Sequence, residues 1–259
     1  MTNQPKRVCV VGASGRMGGR VLEVLASSDG LVAHSALEAA ASAKALPDSL
    51  VVSEDPEVAL ADVDVVIDFS APPACSQVLP VCAAKGIACI IASTGLTDVH
   101  YQAIDEAAAQ CAVIVAANCS VGVNVLLELV ELASQRLAGF EPEIFEIHHK
   151  FKRDAPSGTA LALGEAVAKG RGPLREVHAR SGVGDVRQED ELGYGTLRGG
   201  DVSGEHTVFF FGEDERIELT HRSTSPTIFA RGAVQAAEFL LEQGPGRYTM
   251  RDVLLGHVD

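Results

Sequence analysis

A short apolar run that passes directly into glycines at a three-residue rhythm restricts the fold more than any other feature of the chain. In RVCVVGASGRMG the residues Val8 to Val11 have the character of a buried strand, and Gly12, Gly15 and Gly18 follow just where GRVLEVLASS begins a helix. Such a turn brings backbone without Cβ atoms to a helix N-terminus, whose unpaired N–H groups carry partial positive charge and suit a pyrophosphate. Glu38 closes the next apolar run, LVAHSALE. Its distance from the glycines, about 20 residues, is the one from which a carboxylate reaches adenosine ribose hydroxyls.

The same alternation continues. DVDVVIDFS, IACIIAS and CAVIVAAN read as strands, separated by the helices PACSQVLPVCAAKG, closed by Gly86, and VHYQAIDEAAAQ, capped by Thr97 or Asp98. This is the pattern of βαβ units in a Rossmann-type, doubly wound parallel sheet of the α/β class. Two further strand ends, at Ala92, Ser93 and Thr94 and at Ala116, Ala117, Asn118 and Cys119, fall where such sheets carry ligands. Their small side chains leave room for a nicotinamide and its ribose.

From Val121 the pattern changes. Val123, Leu126, Leu127, Val130 and Leu137 keep helical spacing, with Gly139 expected as the C-terminal cap. EIFEIHH, GEHTVFFF and ERIELTHRS then read as strands of an open, mostly antiparallel or mixed sheet, an α+β arrangement. A last helix, from about Thr227 to Glu242, is expected to return to the first domain. The predicted organisation is therefore a dinucleotide-binding domain over 1–120, completed by about 226–259, and a substrate-binding and oligomerisation domain over 121–225.

Charge and composition narrow the partners. With 35 acidic against 21 basic residues and a formal net charge of −14, the surface repels nucleic-acid phosphates and anionic lipids. No apolar run approaches the roughly 18 residues that span a bilayer, and the start, MTNQPKRVCVVGASG, reads as a first strand rather than a signal peptide. Six cysteines without a CxxC pair fit reduced thiols in a cytosol. The sevenfold spacing of Cys75, Cys82 and Cys89 falls on a helix and then a strand, which argues against a shared metal.

Against that acidic background, EIHHKFKRDAPSGTA concentrates cations. If the segment stays extended, His148, Lys150 and Lys152 share one face; if the strand ends near His149 and turns, both histidines reach one site. The helix that follows has its first N–H groups at Ser157, Gly158 and Thr159, expected to be free to hold a carboxylate, with the Thr159 hydroxyl as a further donor. No HExxH and no third ligand at recognisable spacing accompany the histidines, so no metal is expected.

Taken in order, VGASGRMG, DFSAP, STG, AANCSVGVNV, HHKFKRDAPSGTA and GGDVSGEHTVFF closely resemble the dihydrodipicolinate reductases of bacterial and plant lysine biosynthesis. The resemblance implies reduction of 4-hydroxy-tetrahydrodipicolinate to tetrahydrodipicolinate by NADH or NADPH, in a cytoplasmic homotetramer. It makes His148 the acid/base and Lys152 the proton donor, and it gives substrate contacts to His149, Gly158 and Thr159, which Ser157 joins as a first N–H of the helix. It gives cofactor contacts to Gly12, Ala13, Ser14, Gly15, Arg16 and Met17, to Glu38, and to the Ala92–Thr94 and Ala116–Cys119 loops.

The chemistry agrees: hydride added at C4 of a conjugated imine drives negative charge toward the ring nitrogen and C3, which a proton-donating cation stabilises. Three departures touch the cofactor side: Ala39 where enteric members often have Arg, ASTG for the usual GTTG, and Cys119 for a common Phe. With Glu38 followed by Ala39, NADH is expected to serve at least as well as NADPH. The competing readings are a non-catalytic dinucleotide sensor, in which Lys152 and the histidines have no necessary role, and a reductase of another small dicarboxylic or amino-acid substrate. Three consecutive phenylalanines in HTVFFF cannot all face one core, which marks that strand as a contact surface.

Overall fold

The computed structural model describes residues 4–39, 42 and 46–256; Met1 to Asn3, at the head of the expected first strand, lie outside them. Along the chain come β1 (Lys6–Val11), α1 (Arg16–Leu25), β2 (Leu31–Leu37), β3 (Val51–Ser53), α2 (Pro56–Ala59), β4 (Val65–Asp68), α3 (Pro72–Lys85), β5 (Ala88–Ile91), α4 (Asp98–Ala108) and β6 (Ala112–Val115). There follow α5 (Val121–Arg136), β7 (Glu141–His148), α6 (Gly158–Arg171), β8 (Arg175–Val177), β9 (Glu191–Arg198), β10 (Gly204–Phe211) and β11 (Arg216–Ser223), then α7 (Thr227–Leu240), β12 (Gly246–Tyr248) and α8 (Met250–Leu255). Two compact units result: Met1–Val121 together with Thr227–Asp259, and Gly122–Pro226.

The first unit is built on a parallel seven-stranded sheet of order β12-β6-β5-β4-β1-β2-β3. Its central strands, VVID of β4 and ACII of β5, are buried along their whole length because helices cover both faces. Val8, Val10, Ile67, Ile90 and Ile114 pack on one side with α1 and α7; Cys9, Val66, Cys89 and Ile91 pack on the other with α3 and α4. Each such aliphatic side chain contributes roughly 1.5–3 kcal/mol by leaving water. Gly86, left-handed at φ 67, ends α3, and Thr97 starts α4 in a capping box with His100. All six cysteines are free and buried. Among the described residues no helix is long and apolar enough to cross a membrane.

The second unit holds a mixed five-stranded sheet of order β11-β10-β7-β9-β8, antiparallel from β11 to β7 and parallel from β7 to β8. Its core face meets α5 and α6 through Leu126, Val130, Ile144, Leu163, Val167, Val208 and Phe210. Period two in β10 sends Phe210 inward and Phe209 and Phe211 to the opposite face, where their rings stack at 5.5 Å.

Two expectations need correction here. The helix α5 ends at Arg136, and Gly139 is not left-handed, so it caps nothing. The strand β9 has no clear signal in the sequence because Gly193 and Gly195 interrupt its alternation, yet it pairs with β7 from Gly193 to Arg198.

Candidate active site

The glycine turn has the shape its sequence predicts. Gly12 is left-handed at φ 75, and Gly15 stands as N-cap of α1 with no side-chain acceptor and no acidic residue in the first turn. A Cβ on Gly18 would lie 2.2 Å from the Gly12 carbonyl oxygen, so only glycine lets the helix press against the turn. The Glu38 carboxylate reaches across from the end of β2 and accepts the Ser14 N–H at 2.9 Å. Ser14, Gly15 and Arg16 are exposed, Gly12 and Met17 half-buried and Ala13 buried. An uncapped, acid-free helix start beside a turn without Cβ atoms, faced by a carboxylate, fits a dinucleotide.

The neighbouring strand ends contribute a cleft of about 270 Å³ lined by Ser93, Thr94, Gly95, Leu96, Tyr101, Val115, Ala117 and Arg247. Thr94 and Ala117 are exposed there and Asn118 is half-buried, whereas the side chains of Ala92, Ser93, Ala116 and Cys119 point inward. Cys119 in particular belongs to the sheet core and its thiol lies 3.7 Å from the Ala116 carbonyl, so it offers a cofactor only its backbone.

Sequence reasoning quoted DFSAP but missed the role of its acid. Asp68, buried at the end of β4, accepts the Ser70 N–H at 2.8 Å, the Ser70 hydroxyl, and the Ser93 hydroxyl at 3.2 Å. It ties two strand-end loops together. Burial raises its pKa against the pull of those serines.

In the second unit β7 stops at His148, and the chain turns, with the Lys152 N–H donating to the His149 carbonyl at 3.1 Å. The turning alternative is therefore the observed one. His148 is buried at the end of the core-facing row Ile144, Glu146, His148, while His149 is half-buried with its Nδ1 accepting the Phe151 N–H at 3.2 Å. Lys152 is half-buried and its Nζ lies 2.8 Å from Asp154 Oδ2. That hydrogen bond lowers the Asp154 pKa.

The helix α6 starts as predicted, but Ser157 differs from expectation. It faces inward as the N-cap: its N–H donates to Glu146 Oε1 at 3.0 Å, and its hydroxyl accepts the Ala160 N–H at 3.1 Å. The first-turn positions toward solvent are Gly158, exposed, and Thr159, half-buried.

Three buried or half-buried groups complete this cluster: Glu146, Arg198 of β9 and His206 of β10. Glu146 contacts His148 Nδ1 through Oε2, while its Oε1 also accepts from Arg198 at 2.9 Å and Thr196 at 3.3 Å. Burial pushes the Glu146 carboxyl up, but the hydrogen bonds and charges of His148 and Arg198 outweigh it and hold the pKa at about 2. His206 Nε2 lies 3.0 Å from the Ser157 hydroxyl. Burial and the charge of His148 lower the His206 pKa to about 4.

The donor atoms of Glu146, His148 and His206 lie within 4.8 Å of one another, so a third metal-type ligand does exist, 58 residues beyond His148 on another strand. It escaped a search by spacing because β-pairing, not a local motif, delivers it. The signals available in sequence were a glutamate at an inward position of β7 and the histidine of GGDVSGEHTVFF.

Comparison with known proteins bears on both units. The family profile described as dihydrodipicolinate reductase, N-terminus, matches residues 6–119, and the one described as dihydrodipicolinate reductase, C-terminus, matches residues 122–254. A 4-hydroxy-tetrahydrodipicolinate reductase of Anaeromyxobacter sp. (strain Fw109-5) is 48% identical over 95% of this chain and 97% of its own length. The enzyme of that name from Thiobacillus denitrificans (strain ATCC 25259 / T1) is 41% identical over 96% of this chain and 98% of its own. Among solved structures, a dipicolinate-bound dihydrodipicolinate reductase from Paenisporosarcina sp. TG-14 shares the fold with a TM-score of 0.80 at 21% identity, covering 95% of this chain and 98% of that one.

Proposed function

We infer, from the premise that this chain belongs to the dihydrodipicolinate reductase family, that it reduces 4-hydroxy-tetrahydrodipicolinate to tetrahydrodipicolinate with NAD(P)H, a step of diaminopimelate and lysine biosynthesis. The single observation that carries the reading onto residues is the cluster at the start of α6, where His148, Lys152, Gly158 and Thr159 gather donors in an otherwise acidic chain.

The first unit binds the coenzyme. Gly12 to Met17 take the pyrophosphate, Glu38 the adenosine ribose, and the loops at Ala92–Thr94 and Ala116–Cys119 the nicotinamide side, Cys119 through its backbone. The bound coenzyme supplies a hydride. The second unit binds the dicarboxylate: Gly158 and Thr159 at the helix start and His149 hold carboxylates, while Ser157 supports them from inside as the cap. Lys152 donates the proton that quenches charge developing on the ring, and His148 acts as acid/base. Asp154 holds the Lys152 ammonium in place until substrate arrives.

NADH serves at least as well as NADPH, and the enzyme works in the cytoplasm as a homotetramer assembled through the open face of the mixed sheet. That face presents Phe209 and the 36% exposed Phe211, whose rings stack on each other.

The test is to follow NADH oxidation when the purified protein meets freshly condensed pyruvate and aspartate semialdehyde. Turnover is expected in the wild type, and Lys152→Ala loses most of it while NADH titrates normally. A Lys152→Ala variant of near wild-type turnover removes the role given to Lys152. A wild type that binds NADH but leaves the substrate unreduced favours the sensor.

A further inference from the structure

Glu146 is a charge where the fold has room for a hydrophobe. It occupies the inward row of β7 between Ile144 and His148 and is 1% exposed. Burying a carboxylate there costs several kcal/mol unless it is fully paired. The pairing is divided unevenly between its two oxygens: Oε1 takes Ser157, Arg198 and Thr196, whereas Oε2 faces only His148 Nδ1. Neither Oε2 nor Nδ1 has another hydrogen-bond partner among the described residues.

We propose that Glu146 is a positioning residue that sets two parts of the substrate site with one carboxylate. Through Oε2 it holds His148 as the Nδ1–H tautomer, so that Nε2 is the atom that takes up and releases the proton. Through Oε1 it fixes the Ser157 cap, and with it the first turn of α6, relative to that imidazole. The inference rests on the reading of His148 and the α6 start as parts of the reductase site.

The surroundings of the imidazole support this. Gly204, at φ +157, lies so close that a Cβ there would sit 3.0 Å from His148 Nε2. A glycine on β10 thus leaves the Nε2 edge of the ring uncovered by any side chain of that residue. The charged and titratable groups around His148 are Glu146 on its own strand, Arg198 on β9, His206 on β10, His221 on β11, and Lys152 and Asp154 on the turn. Glu146 is the buried anion among them. Arg198 is held in turn by Glu146 and by the Asp154 carbonyl at 2.6 Å, and its guanidinium supplies the positive charge that a metal would bring to the same carboxylate.

Replacing Glu146 by a neutral group therefore removes the acceptor that selects the Nδ1–H tautomer and the buried charge that Arg198 faces. The experiment uses the full chain with ¹⁵N-labelled histidine, His148→Gln serving to assign the ring signals. In Glu146→Gln the tautomer signature of the ring, Nδ1 protonated in the wild type, is expected to be lost or mixed.

At pH 7.5 kcat falls about 10- to 100-fold, with NADH affinity unchanged. Glu146→Asp, which restores the charge with a shorter reach, brings back part of the Nδ1–H signature and of kcat. It also provides the readout if the glutamine variant does not fold.

An Nδ1–H signature that persists in Glu146→Gln overturns the proposal, since a merely structural residue leaves the ring tautomer unmoved. A stoichiometric metal in the purified protein, whose chelation alone abolishes the signature, overturns it as well. If the wild type does not reduce the substrate, the reductase reading fails, yet the ring tautomer still decides Glu146.

Discussion

Two adjacent glycines at the start of α1 respond to alanine with opposite signs. A Cβ at Gly18 falls 2.2 Å from the Gly12 carbonyl oxygen, 2.6 Å from Ala13 Cα and 2.8 Å from the Gly12 carbonyl carbon, all backbone atoms of the turn, whereas a Cβ at Gly19 meets nothing within 4 Å. Ordinary contact begins near 3.4 Å, so Gly18→Ala must push helix and turn apart by on the order of 1 Å, at the overpacking cost of about 1–3 kcal/mol. Both substitutions gain about 0.5–1 kcal/mol of helix propensity, so that contribution cancels between them. The difference between the two variants is the clash alone.

Gly19→Ala should be neutral or stabilised and Gly18→Ala destabilised, with melting temperatures separated by roughly 2–4 °C per kcal/mol. The shift at Gly18 opens the turn proposed to cradle the pyrophosphate, so NADH affinity by fluorescence titration should drop in that variant only. Equal melting temperatures and equal NADH affinities for the two proteins would refute both the packing argument and the placement of the pyrophosphate.

If the adenosine ribose lies at Glu38 as proposed, a 2′-phosphate would meet a carboxylate already anchored on Ser14, and Ala39 has no guanidinium to offset it. Ala39→Arg should shift kcat/KM toward NADPH by on the order of 1–3 kcal/mol, and a wild type preferring NADPH tenfold or more contradicts the reading. Acid stability has two stages with the same sign. The folded pKa of His206 is about 4, below its ordinary 6.5, so the stability present above pH 6.5 is lost as pH falls from 6.5 through 4. Glu146, at about 2 against 4.5, adds a second loss between those values. Chemical denaturation across pH should show the first limb, and His206→Gln should flatten it. Light scattering at micromolar concentration should give a tetramer, and Phe211→Glu should dissociate it; a wild-type monomer is the contrary result.

The first unit was nearly all legible because its signals are local. A parallel strand buried on both faces is a short continuous apolar run, and Gly86 or Thr97 marks a helix boundary without help from distant residues. What escaped there was short: β3, α2, β12 and α8 span three to six residues each, too few for a period to register. In the second unit β9 escaped for a different reason. Its Gly193 and Gly195 stand opposite Glu143 and Phe145, whose side chains fill the space a Cβ would need. The alternation is broken in sequence because it is completed by the neighbouring strand.

The same contrast explains the site. HHKFKRDAPSGTA announces cations and a helix start, and from that alone an anion pocket follows, with Ser157 as one of its donors. The structure instead spends the Ser157 N–H on a buried carboxylate from two residues before the histidines. An anion at the centre of this cluster is self-defeating only if the cations are counted as a sum. Arg198 and Lys152 carry like charge, and Glu146 and Asp154 are the carboxylates that pair with them.

Glu146 balances Arg198 from the buried side, whereas Gly158 is exposed and Thr159 half-buried. Sequence could place the cations because they are contiguous. The anion that makes them usable together is tied to them through Arg198, 52 residues away and on another strand, which is information that only strand pairing contains.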